Sequence, residues 1–303
     1  MGRTHWAATA SALVGSVLVL GLAACGGTTN PSGGTLLGVA ETTDIGAAAA
    51  DEVDQAVGSL SGDGAAFGIF AGQSAASLHV AADMAPGAGC ATVDNTTDTD
   101  ADGAPDNATF TFALPACSFT GFRGGTLEIT GTVAVSDPTA SVADFNFLAT
   151  LTDFQFKVTN PSATFTFTAK RNGTRSLSGD ATGVTLTNNI TVVRSAPYRA
   201  DASVIHNLTL SFTPAQGASL VLGQPLPNGT FTKSGTLIWM RGLLSHTFTV
   251  TTVTPLVWDA SCTTDRKIAS GEIHWTLPDG GYIKTVWTGC GVEPTRTFVR
   301  GTA

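Results

Sequence analysis

The sequence predicts an all-β protein, an antiparallel and mostly meandering β-sandwich with one short N-terminal helix. From residue 108 onward, apolar residues alternate with Thr and other polar residues in successive runs, and no long helical pattern separates these runs. Such alternation is typical of antiparallel sheets that have one buried and one solvated face. A curved open sheet, or half-barrel, around an apolar cavity would produce the same alternation, so both architectures remain open.

Three runs carry this prediction. Apolar residues occupy alternate positions over 127–135 and again over 204–212, where His206 falls on the apolar face and is expected in the core. Over residues 145–158 the apolar positions change phase at Thr152-Asp153. A change of phase within one run predicts a β-bulge or a bend in a single long strand.

Two short motifs predict turns between strands. Asn172-Gly173 is a good type I′ pair and predicts a hairpin after the run that contains Phe165 and Phe167. The sequence Pro-Asp-Gly-Gly at 278–281 predicts a turn between the last two strong runs.

A helical period precedes the β pattern. Asp44 can cap a helix, and the apolar residues Ile45, Ala49, Val53 and Val57 follow it at helical spacing. Three acids lie off this apolar stripe: Asp51, Glu52 and Asp54. The segment therefore predicts one amphipathic helix that ends at Gly58.

Charge is unevenly distributed along the chain. The net charge of −8 disfavours a nucleic-acid partner. Residues 26–156 contain sixteen acids and only Arg123 as a base, whereas residues 157–303 contain thirteen Lys or Arg and seven acids. The plain interpretation is the solvation of two faces. The more specific interpretation is that the acidic half collects divalent cations while the basic half faces anionic envelope polymers.

The first 25 residues have the three-part layout of a secretory signal. An uncharged apolar run over 7–20 is followed by Leu-Ala-Ala-Cys at 22–25. This ending resembles the lipobox of bacterial lipoproteins. The resemblance implies cleavage before Cys25, a diacylglycerol on its thiol and a fatty acid such as palmitate on the new amine. Two or three acyl chains anchor a protein stably, whereas one does not.

This resemblance defines the predicted organisation and location. Residues 1–24 are a signal peptide, 25–38 are the lipidated Cys and a flexible Gly/Ser/Thr-rich tether, and 39–303 form a single β-rich domain. Gly26 follows Cys25, which resembles outer-membrane sorting if the cell has two membranes. The expected partners are the membrane, through the lipid anchor, and an envelope polymer or protein.

Four further cysteines support an exported location. An even number of cysteines outside the cytosol suggests two disulfides, and three pairings are possible for Cys90, Cys117, Cys262 and Cys290. Local loop closure favours Cys90–Cys117 and Cys262–Cys290. A zinc site made of all four thiolates is disfavoured because the chain lacks a C-x-x-C pair.

One motif carries metal chemistry. Residues 98–106 have the pattern D-x-D-x-D-G-x-x-D, with carboxylates at Asp98, Asp100, Asp102 and Asp106. Calcium prefers six to eight oxygen ligands, and alternate Asp residues in a tight loop turn their carboxylates toward one centre. Gly103 permits the bend, and Ala104 would offer its backbone carbonyl. The alternative is a solvated acidic linker before the first strong strand.

The loop resembles the calcium loops of EF-hands, dockerins and thrombospondin type 3 repeats. It departs from the EF-hand at the twelfth position, where Thr109 replaces the bidentate Glu. The resemblance therefore implies calcium at a modest affinity of about 10⁻⁴–10⁻³ M, unless Asp94 or another acid completes the shell. The motif spans nine residues and predicts a site at 94–107, not a fold.

Signals for an enzyme are poor, because the chain lacks H-E-x-x-H, G-x-S-x-G and phosphate-loop motifs. We expect a non-enzymatic envelope protein with a structural or adhesive role. A carrier of lipids or other apolar ligands and a hydrolase of envelope polymers are the alternatives. The strand acids to examine for a hydrolase are Glu128, Asp144, Asp153 and Glu272.

Four tryptophans are expected in the core rather than in a sugar-binding platform: Trp239, Trp258, Trp275 and Trp287.

Overall fold

The structure is a computed structural model that describes residues 90–120, 125–162, 164–197, 200–222, 224–264 and 267–301. Thirteen β-strands lie in these residues. They are β1 (Ala91–Val93), β2 (Asn107–Phe112), β3 (Ser118–Thr120), β4 (Thr126–Ser136), β5 (Phe147–Thr159), β6 (Thr166–Asp180), β7 (Gly183–Ser195), β8 (Ala202–Pro214), β9 (Gly229–Arg241), β10 (Leu244–Trp258), β11 (Ile268–Thr276), β12 (Tyr282–Trp287) and β13 (Thr295–Val299).

All of these strands belong to one antiparallel sheet. The order is β1-β2-β4-β5-β6-β7-β8-β9-β10-β11-β12-β13, and β3 pairs with the free part of β4 beside β2. The predicted all-β, antiparallel and meandering fold is therefore confirmed. Of the two architectures that the sequence left open, hydrogen bonding shows the single open sheet, because every described strand joins the same ladder.

One face of this sheet forms the core. In β8 the buried side chains are those of alternate residues from Ala202 to Phe212, while Thr209 and Ser211 lie on the other, Thr-rich face. His206 is 2% exposed and confirms its predicted core position. The four predicted core tryptophans are also buried, each at 5% exposure or less. The period-two pattern thus determines which side of each strand is covered.

The predicted bulge and one predicted turn are confirmed. The register of β5 shifts between Leu151 and Phe154, and Asp153 adopts φ 50° there. The Asp153 N–H donates to Asn172 Oδ1 at 2.7 Å, which fixes the extra residue against β6. The turn at 278–281 joins β11 to β12, with the Leu277 N–H bonded to the Gly281 carbonyl at 2.7 Å.

The hairpin predicted at Asn172-Gly173 is wrong. Both residues lie inside the continuous strand β6, where Gly173 pairs with Leu151 on one side and with Ile190 on the other. Gly173 has φ 133°, and a Cβ atom there would lie 2.1 Å from the Asn189 carbonyl oxygen. The glycine therefore permits close approach of neighbouring strands within a long strand, a common means of bending a sheet.

Both favoured disulfide pairings are present. Cys90 is bonded to Cys117 and Cys262 to Cys290, with Cα–Cα distances of 4.8 and 6.1 Å. The first disulfide closes the segment that holds the predicted metal loop.

The signal peptide, Cys25, the tether and the predicted helix after Asp44 lie outside the described residues. Within the described ranges, no helix is long and apolar enough to cross a membrane.

Candidate metal centre

Three aspartates of the predicted loop converge. Carboxylate oxygens of Asp98, Asp100 and Asp102 all lie within 4.8 Å of one another. The loop connects β1 to β2, and two residues inside it adopt left-handed backbone conformations, Ala101 at φ 61° and Gly103 at φ 99°. These two conformations turn the chain sharply enough to bring alternate side chains together, as the D-x-D-x-D-G spacing predicted.

Each of these aspartates uses one oxygen to hold the loop. Asp98 Oδ2 accepts from the Gly103 N–H at 3.1 Å, and Asp100 Oδ1 accepts from the Asp102 N–H at 3.3 Å. Asp102 Oδ1 accepts from the Ala104 N–H at 2.7 Å. The backbone thus fixes the orientation of all three carboxylates before any ligand binds, which is the preorganisation that a binding site needs.

In and beside the loop, three carboxylate oxygens are buried and accept no hydrogen bond within the described residues. Two belong to the loop, Asp98 Oδ1 and Asp100 Oδ2. The third is Asp137 Oδ2, from the connection between β4 and β5, and the Asp137 residue is only 6% exposed. Buried polar atoms in native proteins almost always have a partner, so such a group calls for an explanation.

Burial and like charge make this group costly when ionised. The pKa of Asp102 is raised to about 6, first by burial and in smaller part by the negative charges of Asp100 and Asp137. The pKa of Asp100 is also raised, first by burial and then by the charges of Asp137 and Asp98. Asp137 therefore lies close enough to the loop for its charge to act on Asp100 and Asp102. A bound cation would remove both the repulsion and the unsatisfied oxygens.

Asp106 and Asp94 hold the loop in another way. Thr99 donates to both oxygens of Asp106, from its N–H at 2.8 Å and from its hydroxyl at 2.5 Å. Asp94 Oδ1 accepts from the Thr109 N–H at 2.7 Å. These hydrogen bonds lower the pKa of both carboxyls. The structure therefore places Asp106 at the base of the loop, outside the group formed by the other three predicted carboxylates.

Sequence reasoning missed Asp137, which lies more than thirty residues beyond the motif. The signal that finds it is strand pairing, because β2 leaves the loop at Asn107 and this residue pairs with Ser136 at the end of β4. Asp137 follows directly, and its N–H donates to the Asp106 carbonyl at 3.3 Å. Its second oxygen, Oδ1, accepts from the Thr139 N–H at 2.8 Å and so orients the carboxylate.

A second layer of hydrogen bonds supports the group from the β4–β5 connection. The Asp144 N–H donates to Asp102 Oδ2 at 3.3 Å, and Asp144 Oδ2 accepts from Thr139 and Asn146 at 2.6 and 2.7 Å. The motif loop and the β4–β5 connection are thereby held together. Supporting contacts of this kind fix the direction of metal-ligating oxygens.

The other candidate acids lie in separate ion pairs. Glu128 pairs with Lys157 at 2.8 Å, and Asp153 pairs with Lys170 at 2.8 Å. Glu272 contacts Lys284 at 2.9 Å and His274 at 2.6 Å, and its pKa is lowered first by the Lys284 hydrogen bond. None of these contacts brings two of the named acids together, so they add no geometric support to the hydrolase alternative.

No family model matches the sequence, and no curated protein or solved structure matches the chain. The feature of this chain that bears most directly on function is therefore the geometry and electrostatics of the aspartate group.

Proposed function

We propose that this chain is an exported, lipid-anchored envelope protein whose loop at 94–107 binds calcium and stiffens a β domain with a structural or adhesive role. The observation that carries the calcium site is the convergence of Asp98, Asp100 and Asp102, in which Asp98 Oδ1 and Asp100 Oδ2 are buried and accept no hydrogen bond within the described residues. Oxygen-rich groups of this kind suit a hard cation such as calcium.

The donor set fits the coordination that calcium prefers. Asp98, Asp100, Asp102 and Asp137 supply four carboxylates, and the Ala104 carbonyl and water would supply the remaining oxygens of a six- to eight-fold shell. Asp137, through Oδ2, would supply the further acid that the motif lacks at its twelfth position, Thr109. With this additional charge we expect a dissociation constant near the tighter end of the extracellular range, about 10⁻⁴ M.

Calcium at this site would connect two parts of the sheet. Three ligands follow β1, inside the segment closed by Cys90–Cys117, and the fourth follows β4. A cation between them would hold the end of the sheet in one arrangement. This supports a mechanical duty, because the ion contributes rigidity to a domain that is exposed outside the cell.

Thermal unfolding with and without calcium tests the proposal. For the mature chain, millimolar calcium should raise the melting temperature relative to a chelator, and Asp100→Ala combined with Asp102→Ala should abolish the rise. Asp180→Asn is a matched control, because Asp180 is exposed and the hydrogen bonds described for its side chain come from Thr182 in the same turn. An unchanged melting temperature of the wild type in calcium would contradict the site.

Mass spectrometry tests the anchor separately. Protein extracted from membranes should carry a diacylglyceryl group on Cys25 and an acylated amine, and Cys25→Ser should release the protein into the soluble fraction. An unmodified Cys25 in membrane-extracted material would contradict the lipid anchor without affecting the calcium site.

A further inference from the structure

The hairpin between β9 and β10 exposes two leucines at its tip. Leu244 pairs with Arg241, so Gly242 and Leu243 form a two-residue turn, in which Gly242 has φ 58°. Leu243 is fully exposed, and Leu244 is 37% exposed. Hairpin turns usually carry Asn, Asp, Gly or Ser, because the tip faces water. The turn needs Gly242 for its backbone, but nothing in the hairpin itself requires an apolar residue at Leu243.

A second apolar tip lies at the same end of the sheet, in the connection between β5 and β6. Phe165 in this connection is 41% exposed, and Val158 near the end of β5 is 44% exposed. Asn160 fixes the connection, because its Oδ1 accepts from the Phe165 N–H at 2.9 Å and its Nδ2 donates to Thr164 Oγ1 at 3.0 Å. Four strand spacings, about 19 Å, separate the two tips along the sheet.

The two ends of the sheet differ in charge. Because neighbouring strands are antiparallel, the β5–β6, β7–β8, β9–β10 and β11–β12 connections lie at one end, the apolar end. The aspartate loop and the β4–β5 connection lie at the other, the aspartate end. In the part of the chain that the structure describes, the connections at the aspartate end contain nine acids and one base, whereas those at the apolar end contain two acids, Asp201 and Asp279. An anionic surface would therefore repel the aspartate end and leave the apolar end to face it.

We propose that the apolar end docks on an anionic lipid bilayer, with Leu243, Leu244 and Phe165 inserted at the boundary between headgroups and acyl chains. Exposed apolar side chains beside a cation are typical of interfacial membrane contacts, and Arg241 directly precedes the leucine turn. The aspartate end, with its metal loop, is then directed away from the membrane.

This docking goes beyond the proposed lipid anchor and calcium site and needs neither of them. So small an apolar surface binds a membrane reversibly, whereas two or three acyl chains hold it stably. The tips therefore set the orientation of the domain, and the acyl chains keep it at the membrane.

Quenching by brominated lipids tests the orientation. Leu243→Trp is made in the mature chain that carries Cys25→Ser, so that no acyl chain contributes, and chelator prevents calcium from bridging the aspartate end to lipid. Vesicles of phosphatidylethanolamine and brominated phosphatidylglycerol should quench the added Trp, while the four buried tryptophans of the sheet give a constant background. Val142→Trp is the matched control, because Val142 is 61% exposed at the aspartate end, and it should show no added quenching.

Binding strength tests the contribution of the leucines. In the Cys25→Ser chain, Leu243→Ser combined with Leu244→Ser should lower the vesicle partition coefficient about tenfold or more, because two leucines lose their apolar environment. Val142→Ser combined with Val221→Ser removes two exposed apolar residues from the aspartate end and should change the coefficient by less than about twofold. All four side chains are exposed, so the melting temperature should stay unchanged in both variants.

Several results would overturn the proposal. The first is absence of vesicle binding by the Cys25→Ser chain, including the case in which it binds a soluble polyanion such as dextran sulfate, which would assign this end to an anionic polymer. Equal quenching in Leu243→Trp and Val142→Trp would exclude a preferred orientation. Unchanged partitioning of the double leucine variant would exclude the tip from the contact. A dimer that Leu243→Ser dissociates in sedimentation velocity would assign the tip to a second copy of the chain.

Discussion

At the scale of single residues, Asp102 shows how burial can prepare a cation site. Its side chain is 8% exposed, and one of its oxygens holds the Ala104 N–H while the other meets the Asp144 N–H. Burial among other acids raises its pKa to about 6, well above the ordinary value near 4. Ionising Asp102 therefore costs more free energy in the folded protein than in the unfolded chain unless a cation offsets the charge.

This shift gives a signed pH dependence for the metal-free protein. A carboxyl with a raised folded-state pKa binds more protons when folded than when unfolded, so its contribution to the free energy of unfolding falls as pH rises from about 4 toward 7. In chelator, the wild type should lose stability relative to Asp102→Asn across that window. Thermal unfolding at several pH values measures the difference, and a difference that does not change with pH would contradict it.

Asp137 gives the sharpest single-residue prediction for calcium. Asp137→Asn keeps the oxygen that accepts from Thr139 but removes the charge, so calcium affinity should fall about tenfold or more. In chelator the same variant should be at least as stable as the wild type, because repulsion within the group is reduced. Isothermal titration calorimetry and thermal unfolding measure the two effects, with Asp180→Asn as the control.

A fall in stability without any change in calcium affinity would give Asp137 a merely structural role.

Asp137 lies far from the D-x-D-x-D-G motif in the sequence, and this distance explains why the sequence did not reveal it. The D-x-D-x-D-G spacing is local and predicts the convergence of Asp98, Asp100 and Asp102, whereas Asp137 is brought beside the loop by the pairing of β2 with β4.

At the scale of elements, the strand β6 shows where local sequence signals fail. Asn-Gly is a strong hairpin signal, yet here Asn172 accepts the N–H of the bulged Asp153 and Gly173 continues the strand. Pairing with β5 and β7 on both sides outweighs the local preference for a turn. The alternation of apolar residues, by contrast, predicted most strands and the bulge, because it reports burial directly.

Gly173→Ala should therefore destabilise the sheet strongly. The new Cβ would meet the Asn189 carbonyl at 2.1 Å and the backbone would be strained, so we expect a loss of roughly 3–4 kcal/mol in the free energy of unfolding. Gly217→Ala is the matched control, because Gly217 also has a positive φ but open space around it, and should cost only about 1 kcal/mol. Urea unfolding measures both, and equal losses would contradict the close approach.

The two disulfides offer a matched pair of elements. Cys90–Cys117 encloses the aspartate loop, and Cys262–Cys290 closes a segment of almost equal length elsewhere in the sheet. Replacing either pair by Ser should destabilise the protein by about 3 kcal/mol. Only the first replacement should also weaken calcium binding, because it frees one end of the loop. Equal calcium affinity in both variants would show that the disulfide does not shape the site.

At the scale of the whole molecule, the sequence predicted the antiparallel meander but left open a sandwich or a single curved sheet. The reason is physical: each strand in either architecture has one buried and one solvated face, so the alternation is identical. The unequal distribution of charge is informative at the same scale. The acids of the first half supply the aspartate loop, and the bases of the second half include those on the buried face of β6 to β10.

The most direct test of the calcium site is a binding titration of the mature chain with calcium under native conditions. We expect one ion per chain with a dissociation constant of about 10⁻⁴ M, and loss of that binding in Asp100→Ala combined with Asp102→Ala. Absence of saturable binding up to 10 mM calcium, about a hundred times that constant, or equal binding by the double variant, would contradict it.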